Sequence, residues 1–170
     1  MILSQLVQAV AGRPSFGELA VSGDGRVEVI RAVHDSRAVQ PGSLFCCVPG
    51  AEHDGHDHAP AAVSAGAVAL LCERPLDLGV PEVRVHSVRQ AMGPLAAELA
   101  GRPSDDLAVV GVTGTNGKTT TIHLLGSVLE AAGLRCGLIG TLTGARTTPE
   151  APELQELLRD LRDSGTRAVA

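Results

Sequence analysis

Gly111-Val112-Thr113-Gly114-Thr115-Asn116-Gly117-Lys118-Thr119 is the stretch whose reading decides the fold. An apolar run at 107–112 leads into it as a strand. Behind it, residues 119–132 have helical spacing with Gly133 as the stop, and 134–139 form the next apolar strand. Glycines in such a loop let successive backbone N–H groups turn inward around phosphate oxygens, and the helix that follows adds the positive end of its dipole. Lys118 is placed to reach the β- and γ-phosphates of a nucleoside triphosphate, and the Thr119 hydroxyl to ligate Mg²⁺. The candidate nucleotide-binding residues are therefore Thr113, Gly114, Thr115, Asn116, Gly117, Lys118 and Thr119, with Lys118 the candidate catalytic group and Thr119 the candidate metal ligand. The GxxxxGK[ST] pattern is broken at one place, where Val112 stands for glycine.

Composition changes at the same point. All the threonines of the chain lie at or after Thr113, and its only asparagine (Asn116) and only lysine (Lys118) fall inside the loop. Every other member of the 14 basic residues is arginine. A compact ammonium and a forked guanidinium are not interchangeable at a phosphate site, so a single lysine kept among glycines points to a chemical requirement.

Working outward, strand, loop, helix and strand make one βαβ unit, whose right-handed crossover sets the two strands parallel with helices covering the sheet. Residues 140–151 read as a loop, 152–164 as a helix opened by Pro152 and the acidic Glu153, and 166–170 as the start of a third strand. The apolar face of that third strand is expected to lack neighbours. No acidic residue stands at a strand end after the loop as a second Mg²⁺ partner, because Glu150, Glu153 and Glu156 fall in a loop or a helix start.

In the other direction, the polar run 101–106 separates this region from an N-terminal one, and a boundary between 1–103 and 104–170 follows. Upstream, 26–33 and 44–48 alternate as strands around the turn signal Gln40-Pro41-Gly42-Ser43. A short helix at 59–65, a buried strand at 67–72 and an alternating strand at 82–86 come next. Ser87 caps a helix with apolar positions from Val88 to Leu99 and Pro94 inside it. The expected fold class is α/β: a small mixed α/β N-terminal domain followed by the beginning of a parallel-sheet P-loop domain.

A formal charge of −5 and the absence of a Lys/Arg cluster argue against a nucleic-acid binder. Residues 1–12 lack the basic start of a signal peptide, and 59–72 falls short of the ~20 apolar residues that span a bilayer, so a cytoplasmic address is expected without membrane insertion. Cys46, Cys47, Cys72 and Cys136 show no CxxC spacing and read as buried, reduced thiols. His53, His56 and His58 interleave with Glu52, Asp54 and Asp57, and read as a flexible acidic loop in preference to a metal site. A Ser/His/Asp hydrolase at 34–36 is excluded, since side chains consecutive in sequence cannot converge as a triad.

The residues 111–121 resemble the ATP loop of the Mur ligases, valine at 112 included. Asp35-Ser36-Arg37, Pro41-Gly42-Ser43-Leu44-Phe45, Gly50 and Asp54-Gly55-His56 are similar to the N-terminal domain of the MurE and MurF types, and Gly140-Thr141 with Thr147-Thr148-Pro149-Glu150 resembles MurE. The resemblance runs from about Val33 to the end. It implies an ATP-dependent ligase that adds a third amino acid to UDP-N-acetylmuramoyl-L-alanyl-D-glutamate through an acyl phosphate, using ATP and Mg²⁺. By the same resemblance Ser36, Ala51, Glu52 and His53 contact the uridine-diphosphate end of that substrate, and Thr147 and Thr148 its muramoyl-peptide end. The family's later metal-binding and amino-acid-binding segments would follow Ala170, so the chain is expected to be an N-terminal portion, inactive alone. A MurF-type ligase, a non-catalytic nucleotide or UDP-sugar module and another P-loop phosphotransferase remain alternatives. Which amino acid is added, and the oligomeric state, are not legible.

Overall fold

The computed structural model describes residues 1–12, 19–140 and 148–170. Thr141 and Thr147 lie outside the described residues. The chain divides into two compact units, Met1–Leu99 and Ala100–Ala170, with the division just ahead of the polar run at 101–106.

The first unit begins with helix α1 (Leu3–Val10) and strand β1 (Ala20–Ser22), followed by β2 (Arg31–Val33), β3 (Ser43–Cys46), α2 (Ala59–Ser64), β4 (Ala67–Cys72), β5 (Glu82–Arg84) and α3 (Val88–Leu99). Its sheet has the order β1-β5-β4-β3-β2. Pairing is parallel from β2 to β5, with Phe45 opposite Leu70, and antiparallel only where β1 joins β5. Phe45, Leu70 and Cys72 form one buried cluster with Ala59 and Ala62 of α2. Leu44 and Leu71, one position along and fully buried, point to the opposite face, and α3 packs on β2, β4 and α1.

Two elements were not anticipated from sequence, α1 and β1, although the buried residues Leu3, Leu6, Val7 and Val10 sit at helical spacing. The strand expected at 26–33 is shortened to Arg31–Val33, because the segment before it turns to the N-terminus: the Val29 N–H donates to the Met1 carbonyl at 2.8 Å, and Ile2 bridges Glu28. Pro94 lies inside α3 and does not end it.

The second unit contains β6 (Ala108–Val109), α4 (Lys118–Ala131), β7 (Cys136–Gly137), α5 (Ala151–Asp163) and β8 (Ala168–Val169). The strands are shorter than expected, and all pairs are parallel in the order β6-β8-β7. The third strand thus has neighbours on both sides, and Ala168 and Val169 are buried, contrary to the expectation that it would be left uncovered. Exposed apolar surface lies instead at the sheet edge, on Val109 and Val110, and on the outer side of α4, where Leu124 and Val128 are 64% and 65% exposed. A methyl group on Gly126 of α4 would meet Leu138 at 2.8 Å, and one on Gly137 would meet Leu161 of α5 at 3.0 Å. Consecutive residues at β7 therefore carry one helix on each face.

Candidate functional site

The loop between β6 and α4 is where the sequence expectation is most concentrated. Gly117 is the N-cap of α4 with φ of 79°, a left-handed conformation that a residue with Cβ adopts only at a cost. It lets the chain turn from the loop into the helix within one residue. The Thr121 N–H donates to the Gly117 carbonyl at 2.9 Å as the first turn closes. From that turn Lys118 reaches back, and its Nζ donates to the Gly114 carbonyl at 2.6 Å. The ammonium therefore lies against the loop, with two further donors available to an anion. Residues 113–117 are exposed, while Lys118 and Thr119 are half-buried at their base. The exposed glycine loop, the N-terminus of α4 and the ammonium held against Gly114 suit a polyphosphate.

The loop opens on a cavity of about 510 Å³ lined by Thr113, Gly114, Lys118 and Thr119 on one side and by Ile139, Thr148 and Leu158 among others. Thr148 is thereby brought beside the loop from some 30 positions away, which its sequence neighbourhood alone does not reveal. Thr115, Asn116 and Gly117 are outside the lining of this cavity. They stand at the exposed rim of the loop.

In the first unit, the candidate residues fall on the carboxyl edge of the parallel strands. Ser36 follows β2 and is half-buried at the start of a 3-10 turn, Ser36–Ala38. Asp35 caps that turn, accepting from the Arg37 N–H at 2.9 Å and from its guanidinium Nη2 at 2.7 Å. The paired guanidinium and the backbone bond hold the Asp35 carboxyl down at about 2. Arg37, whose role the sequence leaves open, is an ion-pair partner of Asp35.

Ala51, Glu52 and His53 are exposed at the tip of the loop that follows β3. The loop is closed at its base, where Pro49 bridges Asp54, the Gly50 N–H donates to the His53 carbonyl at 2.9 Å and the Gly55 N–H to the Val48 carbonyl at 3.0 Å. A methyl on Gly55 would come within 2.5 Å of the Val48 nitrogen, so the return strand of the loop lies directly on the end of β3. This is a hydrogen-bonded turn, where a flexible acidic loop was expected. His56 is 2% exposed and bonded through both ring nitrogens, to Asp54 Oδ1 at 2.6 Å and from the Glu73 N–H at 2.9 Å. Asp54 also receives Arg74 Nη1 at 2.7 Å, and with the His56 backbone bond this holds its carboxyl well below the usual range. His56, Glu73 and Arg74 were not singled out by sequence reasoning as site residues, and the motif Asp54-Gly55-His56 was the available signal.

The cysteines are free, with Cys46, Cys47 and Cys72 buried and Cys136 only half-buried. Burial raises the thiols of Cys47 and Cys72, the latter to about 12, which keeps them protonated and poor nucleophiles. Among the described residues no helix is long and apolar enough to cross a membrane.

Comparison with known proteins points to one family for both units. Residues 32–100 match the family model described as Mur ligase family, catalytic domain, and residues 112–170 match Mur ligase middle domain. A UDP-N-acetylmuramoyl-L-alanyl-D-glutamate–2,6-diaminopimelate ligase of Halalkalibacterium halodurans is 46% identical over 146 residues, covering 80% of this chain and 30% of that protein. The crystal structure of MurF from Acinetobacter baumannii is 28% identical with a TM-score of 0.69, covering 98% of this chain and 34% of that one. MurF ligase from Thermotoga maritima, solved in complex with ADP, is 28% identical with a TM-score of 0.60, covering 82% and 30%. The chain spans about a third of the length of the curated relatives it matches. With its two units each matched by a successive domain model of one family, and its loop, helix and sheet arranged as described, the chain belongs to the Mur ligase family.

Proposed function

We propose that this chain is part of a MurE-type enzyme, an ATP-dependent ligase that adds the third amino acid to UDP-N-acetylmuramoyl-L-alanyl-D-glutamate in peptidoglycan synthesis. On this reading residues 1–103 receive the UDP end of the substrate and 104–170 carry the nucleotide loop. The observation that carries it is the single cavity in which Lys118 and Thr119 share a wall with Thr148. A nucleotide phosphate and the acceptor end of a second substrate can meet there. The 46% identity to a ligase named for this dipeptide supports the substrate assignment.

The loop amides and the N-terminus of α4 bind the phosphates, and Lys118 holds the γ-phosphate in line for attack by a substrate carboxylate. Phosphoryl transfer to that carboxylate gives an acyl phosphate and ADP. The incoming amine then attacks the acyl carbon, and inorganic phosphate leaves as the amide forms. Thr119 would hold Mg²⁺, which when bound supplies neutralisation of the phosphate charge. Ser36 and residues 51–53 hold the uridine-diphosphate end, and Thr148, with Thr147, the muramoyl-peptide end. Consumption of ATP and a UDP-linked precursor suits a cytoplasmic address.

A second reading, the MurF-type ligase acting one step later, draws on the TM-score of 0.69 over 98% of the chain, but at 28% identity it is the weaker of the two. Calorimetry with UDP-muramoyl-dipeptide and UDP-muramoyl-tripeptide separates them. Preference for the dipeptide is expected, preference for the tripeptide would replace the first reading with the second, and binding of neither would remove both.

A further inference from the structure

The buried histidine of the first unit has a hydrogen-bond arrangement that fixes its chemistry. The partner at His56 Nε2 is the backbone N–H of Glu73, at 2.9 Å. A peptide N–H can only donate, so Nε2 is an acceptor without a hydrogen. The ring hydrogen is then on Nδ1, and it donates to Asp54 Oδ1 at 2.6 Å. His56 is therefore held as one neutral tautomer, 2% exposed, between two segments distant in sequence.

Each of those segments is tied onward. Asp54 is the closing residue of the 50–54 turn: it bridges Pro49 and accepts from the His56 N–H and from Arg74 as well as from the ring. Glu73 follows the last residue of β4, and its Oε1 accepts the Val88 N–H at 2.9 Å at the first turn of α3. A continuous set of hydrogen bonds thus runs from the start of α3 through Glu73, His56 and Asp54 to the base of the loop whose tip is Ala51, Glu52 and His53. The tip residues are exposed, and the Gly50 N–H donates to the His53 carbonyl at the base of the turn.

We propose that His56 is a positioning residue for the substrate loop: by bridging Asp54 to the Glu73 backbone it sets the place of the 51–53 tip over the carboxyl edge of the sheet, so that the tip meets a uridine diphosphate already ordered. The proposal rests on the reading of residues 51–53 as contacts of the UDP end. Its energetic logic is that ordering the tip before binding removes an entropy cost that would otherwise be charged against affinity.

Two substitutions divide the bridge. In His56→Asn the amide nitrogen can replace Nδ1 toward Asp54 but leaves the Glu73 N–H without its acceptor. In His56→Gln the amide oxygen can replace Nε2 toward Glu73 but leaves Asp54 without its ring donor. UDP is titrated calorimetrically into the parent chain, both variants and His53→Ala, each well below its melting midpoint and with folding checked by circular dichroism. The expected result is roughly tenfold weaker UDP binding for both bridge variants, since each loses about one charge-assisted or buried hydrogen bond's worth of order. Parent-like affinity in a folded His56→Asn or His56→Gln, together with weakened binding in His53→Ala, overturns the positioning role and leaves the loop assignment standing. Parent-like affinity in His53→Ala, or no UDP binding by the parent, overturns the loop assignment itself. Nitrogen NMR of the parent imidazole needs no variant to fold: an Nδ1–H tautomer is expected, and a hydrogen on Nε2 would refute the bridge.

Discussion

Replacement of Lys118 by alanine tests the nucleotide site most directly. In the structure the Nζ spends one donor on the Gly114 carbonyl at 2.6 Å, and Lys118 lines the cavity beside the loop. Gly114 is exposed, so its carbonyl regains water when the lysine is removed, and the fold of the loop loses little from that term. The larger loss is the contact of the ammonium with a phosphate. A hydrogen bond to a charged group contributes about 1.5–3 kcal/mol, which corresponds to a roughly tenfold to hundredfold weaker dissociation constant. Lys118→Arg is not expected to restore it, because a planar guanidinium cannot take the place of a compact ammonium folded against Gly114. A fluorescent ATP analogue titrated into parent, Lys118→Ala and Lys118→Arg at one fixed ionic strength measures the effect, since screening alters exposed charges. Melting of the first unit should be unchanged, because its buried core around Phe45 and Leu70 contains no residue of the loop. Equal affinity of parent and Lys118→Ala would show that the lysine does not face the phosphates and would refute the assignment of the loop.

Ser36→Ala is expected to weaken UDP-muramoyl-dipeptide binding by roughly fivefold, the worth of one hydrogen bond of about 1 kcal/mol, and to spare ATP in parallel calorimetry; loss of both would mean a folding defect. Gly55→Ala places a methyl 2.5 Å from the Val48 nitrogen and 2.7 Å from its oxygen, so it should lower the melting midpoint by on the order of 10 °C, for a cost of roughly 2 kcal/mol, and an unchanged midpoint would contradict the close approach. Arg37→Ala removes the guanidinium that holds Asp35 at about 2, so the carboxyl should move up toward the ordinary value near ~3.9, read by carbon NMR. Because the folded value is the depressed one, the pair stabilises the parent fully above about pH 4, and that contribution is lost as pH falls toward about 2; the variant should show a shallower loss over the same window. A polypeptide of these 170 residues is expected to give no ADP release dependent on both UDP-muramoyl-dipeptide and an amino acid, and such release in a coupled assay would overturn that expectation.

Local chemistry was legible wherever one residue type could do the job. Gly117 and Lys118 are read from sequence because a tight phosphate loop and a compact cation each admit few substitutes; the left-handed φ of Gly117 at the start of α4 and the bond from Lys118 to Gly114 are added by the structure. The buried strand 67–72 was equally legible, since six apolar residues bounded by glycine and charge leave little choice. The bridge at His56 was not. Its partners lie 2 and 17 residues away, and whether a histidine among acidic residues is solvated or buried depends on Glu73 arriving from the end of β4. The shortening of the 26–33 strand has the same origin: alternation specifies an extended segment but not its partner, and the N-terminus takes the backbone of Val29.

The strand order of the second unit shows how far a handedness rule reaches. Sequence gives β6, α4, β7, α5, β8, and consecutive parallel strands are the ordinary neighbours. Here the last strand inserts between the first two, giving β6-β8-β7. The step from β6 to β7 therefore crosses the sheet in one direction and the step from β7 to β8 comes back in the other. If both crossovers keep the right hand, the two helices must lie on opposite faces. They do: Leu138 packs under Gly126 of α4 while Gly137 packs under Leu161 of α5. The insertion leaves β6 and β8 as neighbours, and the chain leaves the carboxyl end of β6 into the loop at 110–117. In open parallel sheets ligands bind in the crevice outside the carboxyl ends of the strands. Val110, Gly111 and Ala170 line the same cavity as Lys118, so the cavity we propose for the nucleotide lies at the carboxyl ends of β6 and β8, a strand order that periodicity could not disclose.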